Sequence, residues 1–343
     1  AGKKDKETLG VKALDANTLE IKLESALPYF VKMMGHTTVK PVHRATVEQY
    51  GDKWTKPEHF VGNGGFSLRR IDYFKNYLDK HYDNILKSKK LQAELFEKGY
   101  AIFPLLSSEK VNELKDFYYK NNPEIVEGLV ATAHDPNFEF RQKMSDKIHQ
   151  VVADDVTQHF ENIEMLGGTF MNKTQGEKGV LPPHQDWNIV DEKKFASYNL
   201  WIPLVDVQAE NGSIQVIDGS HVWQEGYRGP NLHGPFADQT NELWGKMKTL
   251  SLKAGEVLTY DHRLLHCSNE NKTPTDRLVI VFGVIPQQAE MFFYYEENGK
   301  VESYKSHKDF FLKQNPWEGP KGLEKVKLNK DTWVNKIKML FNA

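Results

Sequence analysis

A single cysteine, Cys267, stands among 343 residues. That excludes an internal disulfide and any zinc site built on thiolates, and it suits a reducing, cytoplasmic compartment. Long apolar runs are also missing. No window approaches the roughly 18–20 uninterrupted apolar residues of a membrane span, so no membrane partner is expected. The opening AGKKDKE is charged and has no apolar stretch behind it, so no signal peptide is read there. Net charge is equally scarce: Lys+Arg 45 against Asp+Glu 47 leaves −2, which argues against a nucleic-acid partner held by bulk charge. What is present is 39% hydrophobic and 27% charged residues. That is enough for a core and a solvated surface, in two domains or in one large β domain with appendages.

Charge and texture change near residue 70. Residues 1–70 carry 12 basic and 8 acidic side chains, net +4, and the remainder carries 33 and 39, net −6. Before the change, VKALDANTLEIKLE alternates around an Asn turn like a hairpin, and PYFVKMMG has the pattern of a short helix. Gly62, Gly64 and Gly65 punctuate the end of this part. After it, residues 71–99 read as one Lys-rich amphipathic helix. The boundary is placed at 70/71. Within 8–70, the run YGDKWTKPEHFVGNGGFSL resembles an interior piece of the bacterial oligopeptide-binding proteins of ABC importers. Such proteins hold a peptide between two large lobes, and sixty-odd residues cannot build both. The first segment is therefore read as an appendage without a peptide-binding role.

From about residue 91 the order is helices, then many short strands. LQAELFEKGYAIFPLLSSEKVNELKDFYYKN reads helix–strand–helix, with Ser107 or Ser108 as N-cap. Phe140, Met144, Ile148, Val151, Val152, Val156 and Phe160 recur at helical spacing, which predicts one buttressing helix over 138–160. Strand patterns follow in IEMLGGTFMNK, around PHQDW, in YNLWIPLVDV, SIQVIDGS, GEVLTYDHRLLH, RLVIVFGVIP and EMFFYYEE. Short strands with turn signals such as Glu210-Asn211-Gly212 predict a mainly β fold, a sandwich or jelly roll with helices on one side. The tail beyond 308 reads as packing.

An open iron site takes two imidazoles and one carboxylate on one face of the metal. Three His-x-Asp triplets offer that pair: His81/Asp83, His184/Asp186 and His307/Asp309. About one is expected by chance from composition, so the triplet alone says little. His81 and His307 sit in Lys-rich, helix-patterned runs, where i and i+2 point to nearly opposite faces. His184 and Asp186 follow Pro182-Pro183, which disfavour helix, and in an extended segment i and i+2 share a face. The third ligand is His266, at the end of GEVLTYDHRLLH, or His262 four residues earlier on the same strand face, with His266 preferred. Arg277 lies beyond the loop after His266, where a hairpin would bring it close. An Arg there can grip a small dicarboxylate bidentately.

These motifs, in this order and spacing, resemble the phytanoyl-CoA dioxygenase family over about 91–290. ELFEKGYAIFPLLSSEKV is similar to the family's opening helix and strand, LPPHQDW to its His-x-Asp strand, YNLWIPLVDVQAENGSIQVIDGSH to its central strands, and GEVLTYDHRLLHCSNENKTPTDR to its distal His and Arg segment. The resemblance implies an Fe(II)- and 2-oxoglutarate-dependent dioxygenase on a double-stranded β-helix. It makes His184, Asp186 and His266 the iron ligands and Arg277 the partner of the far carboxylate of 2-oxoglutarate. It aligns Ser268 and Trp201 with further cosubstrate contacts, and it leaves Gln185 pointing away from the metal. It also implies that 2-oxoglutarate and O2 are converted to succinate and CO2 as a C–H bond is hydroxylated. Asp186 itself speaks for hydroxylation or desaturation, because related radical halogenases lack this carboxylate.

The substrate is expected to be a small molecule. Trp187 and Asn188 follow the metal strand, 225–239 is long enough for a lid, and Arg228 within it is an exposed cation that an anionic substrate would meet. Two other classes compete: a jelly-roll metalloprotein acting as isomerase or binder, and a solute- or peptide-binding protein. Arg277 argues against the first, which has no use for a 2-oxoglutarate clamp, and the missing second lobe argues against the other.

Overall fold

A computed structural model describes residues 11–13, 19–21, 84–122, 126–223 and 226–327. The chain divides into two units, Ala1–Tyr77 and Leu78–Ala343. In the first, β1 (Val11–Ala13) pairs antiparallel with β2 (Leu19–Ile21), Val11 opposite Ile21. The PYFVKMMG segment, the three glycines and His81/Asp83 lie outside the described residues.

The second unit opens with α1 (Lys89–Lys98), β3 (Tyr100–Pro104) and α2 (Ser108–Asn121). Here the single helix read over 71–99 needs correction. Ser88 caps α1 at Leu91, Leu86 bridges to Phe160, and the Ile85 and Leu86 N–H groups donate to Gln92 Oε1. The backbone of 85–88 is thus committed to pairing that a helix would deny it, and 71–83 lie outside the described residues. Ser107, not Ser108, caps α2. After β4 (Leu129–Ala131) comes α3 (Phe138–His159), capped by Asn137, as its apolar spacing predicts.

Eight strands follow: β5 (Ile163–Lys173), β6 (Leu181–His184), β7 (Tyr198–Pro203), β8 (Ile214–Val216), β9 (Lys248–Thr249), β10 (Glu256–Asp261), β11 (His266–Ser268) and β12 (Arg277–Pro286). The larger sheet has the order β3-β10-β7-β12-β5-β4 and the smaller β6-β11-β8-β9, with all pairings antiparallel. From β5 to β12 the chain changes sheet at almost every step. This alternation makes a double-stranded β-helix, the jelly roll.

Strand alternation sorts the larger sheet's side chains into two layers. Leu200, Ile202, Leu278, Ile280 and Phe282 point out to meet Met144, Ile148, Val151, Val152 and Val156 of α3. Each such buried side chain contributes about 1.5–3 kcal/mol. Trp201, Leu258, Tyr260, Val279 and Val281 point inward and pack with Ile214 and Val216 of the smaller sheet. This inner layer is the floor of the site.

A third sheet, β13 (Phe292–Glu297), β14 (Lys300–Lys305) and β15 (Glu324–Val326), closes the described part. Between β14 and β15 the tail forms one turn of helix at Phe310–Lys313. His307 and Asp309 precede that turn rather than lying in a helix, and Asp309 pairs with Lys313. Among the described residues no helix is long and apolar enough to cross a membrane.

Candidate metal centre

Antiparallel pairing of β6 with β11 sets His184 directly across from His266. Cross-strand partners share a face, and the two rings lie 4.2 Å apart between centroids. Asp186 lies two residues past His184, beyond the end of β6, where its N–H donates to the His262 carbonyl at 2.9 Å. Its Oδ1 comes within 3.8 Å of His184 Nε2 and 3.6 Å of His266 Nε2. Among the described residues these three form the one group of metal-ligating side chains, with ligand atoms all within 4.8 Å of one another.

The surroundings orient each donor. His184 Nδ1 hydrogen-bonds the Pro182 carbonyl at 2.7 Å and His266 Nδ1 the Leu264 carbonyl at 2.9 Å. Each Nδ1 therefore carries the proton, and each Nε2 lone pair faces the cluster. Asn199 Nδ2 donates to Asp186 Oδ2 at 2.8 Å, which leaves Oδ1 to face the two rings. Burial pushes the His184 ring down to about 4, and the neighbouring His266 adds to this. Burial works to raise Asp186, but the rings of His266, His262 and His184 and the Tyr260 hydroxyl hold it at about 2. Neutral imidazole and ionised carboxylate are the forms a divalent cation binds. Ligands about 2.1 Å from a metal at right angles stand about 3.0 Å apart. The observed spacings need only a small inward shift, so the residues fit an open two-His, one-carboxylate ion site.

His262 takes no part in the cluster. GEVLTYDHRLLH is not one strand: β10 ends at Asp261, whose carboxylate accepts hydrogen bonds from the Arg263 backbone N–H, Nε and Nη2. The chain then crosses to the other sheet before β11. His262 and His266 share no strand face, and His262 Nδ1 instead meets Ser197 Oγ at 3.0 Å. Gln185 turns away from the cluster, as alternation requires, and donates to the Arg263 carbonyl.

Arg277 reaches the interior by a different route from the hairpin read in the sequence. β11 and β12 belong to different sheets, so Arg277 is not across a ladder from His266. It stands opposite Lys173 on β5, with its guanidinium carbon 5.5 Å from the centre of the Trp201 ring. Lys173 Nζ in turn donates to Ser268 Oγ at 2.6 Å. Arg277, Trp201 and Ser268 are all buried; Lys173 stands between Arg277 and Ser268, and Trp201 lies against Arg277.

The substrate-side residues fare differently. Arg228 is not an exposed cation. It is 3% exposed, its Nη1 and Nη2 donate to both Glu192 oxygens, and its Nε donates to the Asp186 carbonyl at 2.6 Å. Burial with a carboxylate partner is what an arginine inside a protein requires. Arg228 therefore braces the metal loop from behind and does not face an anionic substrate. Asn188 is buried too and accepts the Arg228 backbone N–H on Oδ1. Trp187 is half-buried and meets the Trp317 ring edge-on at 5.1 Å, so the tail read as packing contributes an exposed aromatic there. Asn199 was readable in the sequence, two residues before Trp201 and hence on the same strand face. Lys173, Tyr260 and Glu192 carry no motif.

The sequence profile of the family described as Phytanoyl-CoA dioxygenase matches residues 97–279, more than half of the chain. Among curated proteins, the Phytanoyl-CoA dioxygenase domain-containing protein 1 homolog of Dictyostelium discoideum is 24% identical over 153 residues, 42% of this chain and 53% of that protein. The periplasmic oligopeptide-binding protein OppA of Salmonella typhimurium is 49% identical over 69 residues, a short local match covering 20% of this chain and 13% of that protein. Among solved structures, the non-heme alpha ketoglutarate dependent carbocyclase SnoK from nogalamycin biosynthesis aligns with 60% of this chain and 86% of its own, at 18% identity and a TM-score of 0.45.

Proposed function

Because the chain belongs to the phytanoyl-CoA dioxygenase family, whose enzymes use Fe(II), 2-oxoglutarate and O2, we propose that it hydroxylates a C–H bond of a small molecule, with succinate and CO2 as coproducts. The observation that carries this reading is the convergence of His184, Asp186 and His266 at ligand spacing. The iron held there would activate O2 at the expense of 2-oxoglutarate. The chain's own residues supply the rest. Asn199 and the two backbone carbonyls orient the three donors. Arg277 binds the far carboxylate of 2-oxoglutarate, with Ser268 beside it and Trp201 as a flat wall under the guanidinium. Asp186, as a ligand, closes the position a halide would need, which favours hydroxylation. Trp187 lines the substrate side.

The test is succinate formation from 2-oxoglutarate by the iron-loaded protein, compared with Arg277→Lys. Lysine keeps the charge but loses the planar fork. The apparent affinity for 2-oxoglutarate should fall about tenfold or more, on the order of 1.4 kcal/mol, while iron binding survives. Unchanged cosubstrate dependence would remove the role given to Arg277.

We assign residues 1–70 no part in this chemistry, since every residue given a role in the site lies between 173 and 277. We infer a cytoplasmic location, which suits a lone, buried, free thiol at Cys267. A protein comprising residues 71–343 is expected to fold, load metal and convert 2-oxoglutarate at the rate of the full chain, because a unit with its own core folds without its neighbour. A folded but inactive 71–343 protein would show that the first segment contributes to the site.

A further inference from the structure

Lys173 is an unusual residue to find where it is. Its side chain is fully buried, it ends β5, and the register of β5 with β12 sets it across from Arg277. Cross-strand partners project to the same face, so two cations stand side by side in a dry interior. Arg277 is itself 2% exposed, and its Nε has no hydrogen-bond partner. Among the described residues no carboxylate offsets either charge: burial alone brings Arg277 down to about 10, and burial together with Arg277 brings Lys173 down to about 7. Proteins bury charges with partners, so a pair of buried cations without an anion is a pocket that awaits one.

The lysine's path is built. Its stem runs between two glycines: a Cβ at Gly179 would come within 3.0 Å of Lys173 Cγ, and one at Gly212 within 3.0 Å of Cδ. Any larger residue at either position would crowd the chain that carries the ammonium inward. At the tip, Nζ donates to Ser268 Oγ and to the Asn269 carbonyl, both at 2.6 Å. An ammonium has three N–H groups and no acceptor, so one donor is left over. Because Ser268 Oγ must accept from Lys173, the Ser268 hydroxyl proton is free to be donated elsewhere. Arg277, the third Lys173 N–H and the Ser268 O–H are then three donors around one anion site.

We propose that Lys173 is the second cation of the cosubstrate pocket, holding the far carboxylate of 2-oxoglutarate together with Arg277 and aiming the Ser268 hydroxyl at it. This rests on the reading of Arg277 given above. It has a consequence that a merely structural lysine lacks. The titratable groups facing Nζ are Arg277 from β12 and the Cys267 thiol from β11, which burial raises to about 12. Neither changes charge near neutrality. A carboxylate arriving beside Lys173 favours its charged form, so binding above neutral pH is expected to draw in a proton.

The experiment is calorimetric titration of 2-oxoglutarate into the Mn(II)-loaded full chain at pH 8, in buffers of different ionisation enthalpy, for the wild type, Lys173→Met and Arg277→Lys. Methionine keeps the length and apolar packing of the stem. The wild type should take up a fraction of a proton per 2-oxoglutarate bound. Lys173→Met should bind about tenfold or more weakly, the loss of a hydrogen bond to a charged group, and without that proton. If Lys173→Met binds as tightly as the wild type while Arg277→Lys is weakened, the role of Lys173 is overturned and the pocket stands. If neither variant changes affinity, the cosubstrate reading falls and this one with it. Should the methionine variant not fold, Lys173→Gln is titrated in its place, and wild-type affinity for 2-oxoglutarate in it overturns the proposal.

Discussion

Asp186→Ala is expected to abolish succinate formation and to leave purified protein without stoichiometric metal. The carboxylate supplies one of three donors and the cluster's sole negative charge. Removing it leaves two neutral imidazoles, a much poorer site for a hard divalent ion. Loss of a group that only orients a ligand typically costs 10–100-fold in metal affinity, so loss of the ligand itself should exceed about 100-fold. The fold should be spared. The backbone ties of residue 186 are its N–H to the His262 carbonyl and its own carbonyl to Arg228 Nε; alanine keeps both and gives up the side-chain bond from Asn199. Metal analysis after dialysis and a thermal melt read the two effects separately. A variant that keeps one metal per chain and normal turnover would move the site elsewhere.

Much of this site was legible because it rests on short-range rules. His184 and Asp186 declare themselves by Pro182-Pro183 and the two-residue repeat of extended backbone, and α3 by seven apolar residues at helical spacing. The inner contacts of β7 and β12 follow from alternation once the strands are placed. What escaped was long-range. GEVLTYDHRLLH is apolar enough for one strand, and only Arg263 folding back on Asp261 reveals that the chain turns between sheets there. That single turn changes which histidine is a rival ligand and which strand Arg277 faces. Lys173 escaped for the opposite reason. At the end of an alternating strand a lysine reads as a solvated tip, and its burial depends on Gly179 and Gly212, whose distance from it no local pattern reports. Arg228 shows the same limit in a loop: its partner Glu192 lies 36 residues away.

Arg228→Met should be the most destabilising single change near the site. Arg228 and Glu192 are 3% and 1% exposed at the side chain and 2.6 Å apart, so methionine at 228 leaves a buried carboxylate without a counter-charge. Breaking a buried pair from one side costs about 3–5 kcal/mol, which in a unit of this size lowers the melting temperature by on the order of 10 °C. Replacing both partners removes the stranded charge. Arg228→Met with Glu192→Met should recover most of the loss, because apolar side chains of similar volume often substitute for buried ion pairs at little cost. Metal affinity should not recover with stability. In both variants the Asp186 carbonyl loses its donor at 2.6 Å, and the loop that sets the ligand is left unbraced. A 10- to 100-fold weaker metal site is therefore expected in the single and the double variant alike, measured by metal titration beside denaturant unfolding. A single variant that loses less than about 1 kcal/mol would mean that Glu192 finds water or a proton on its own. A double variant that regains full metal affinity would mean that the brace serves the fold and not the ligand.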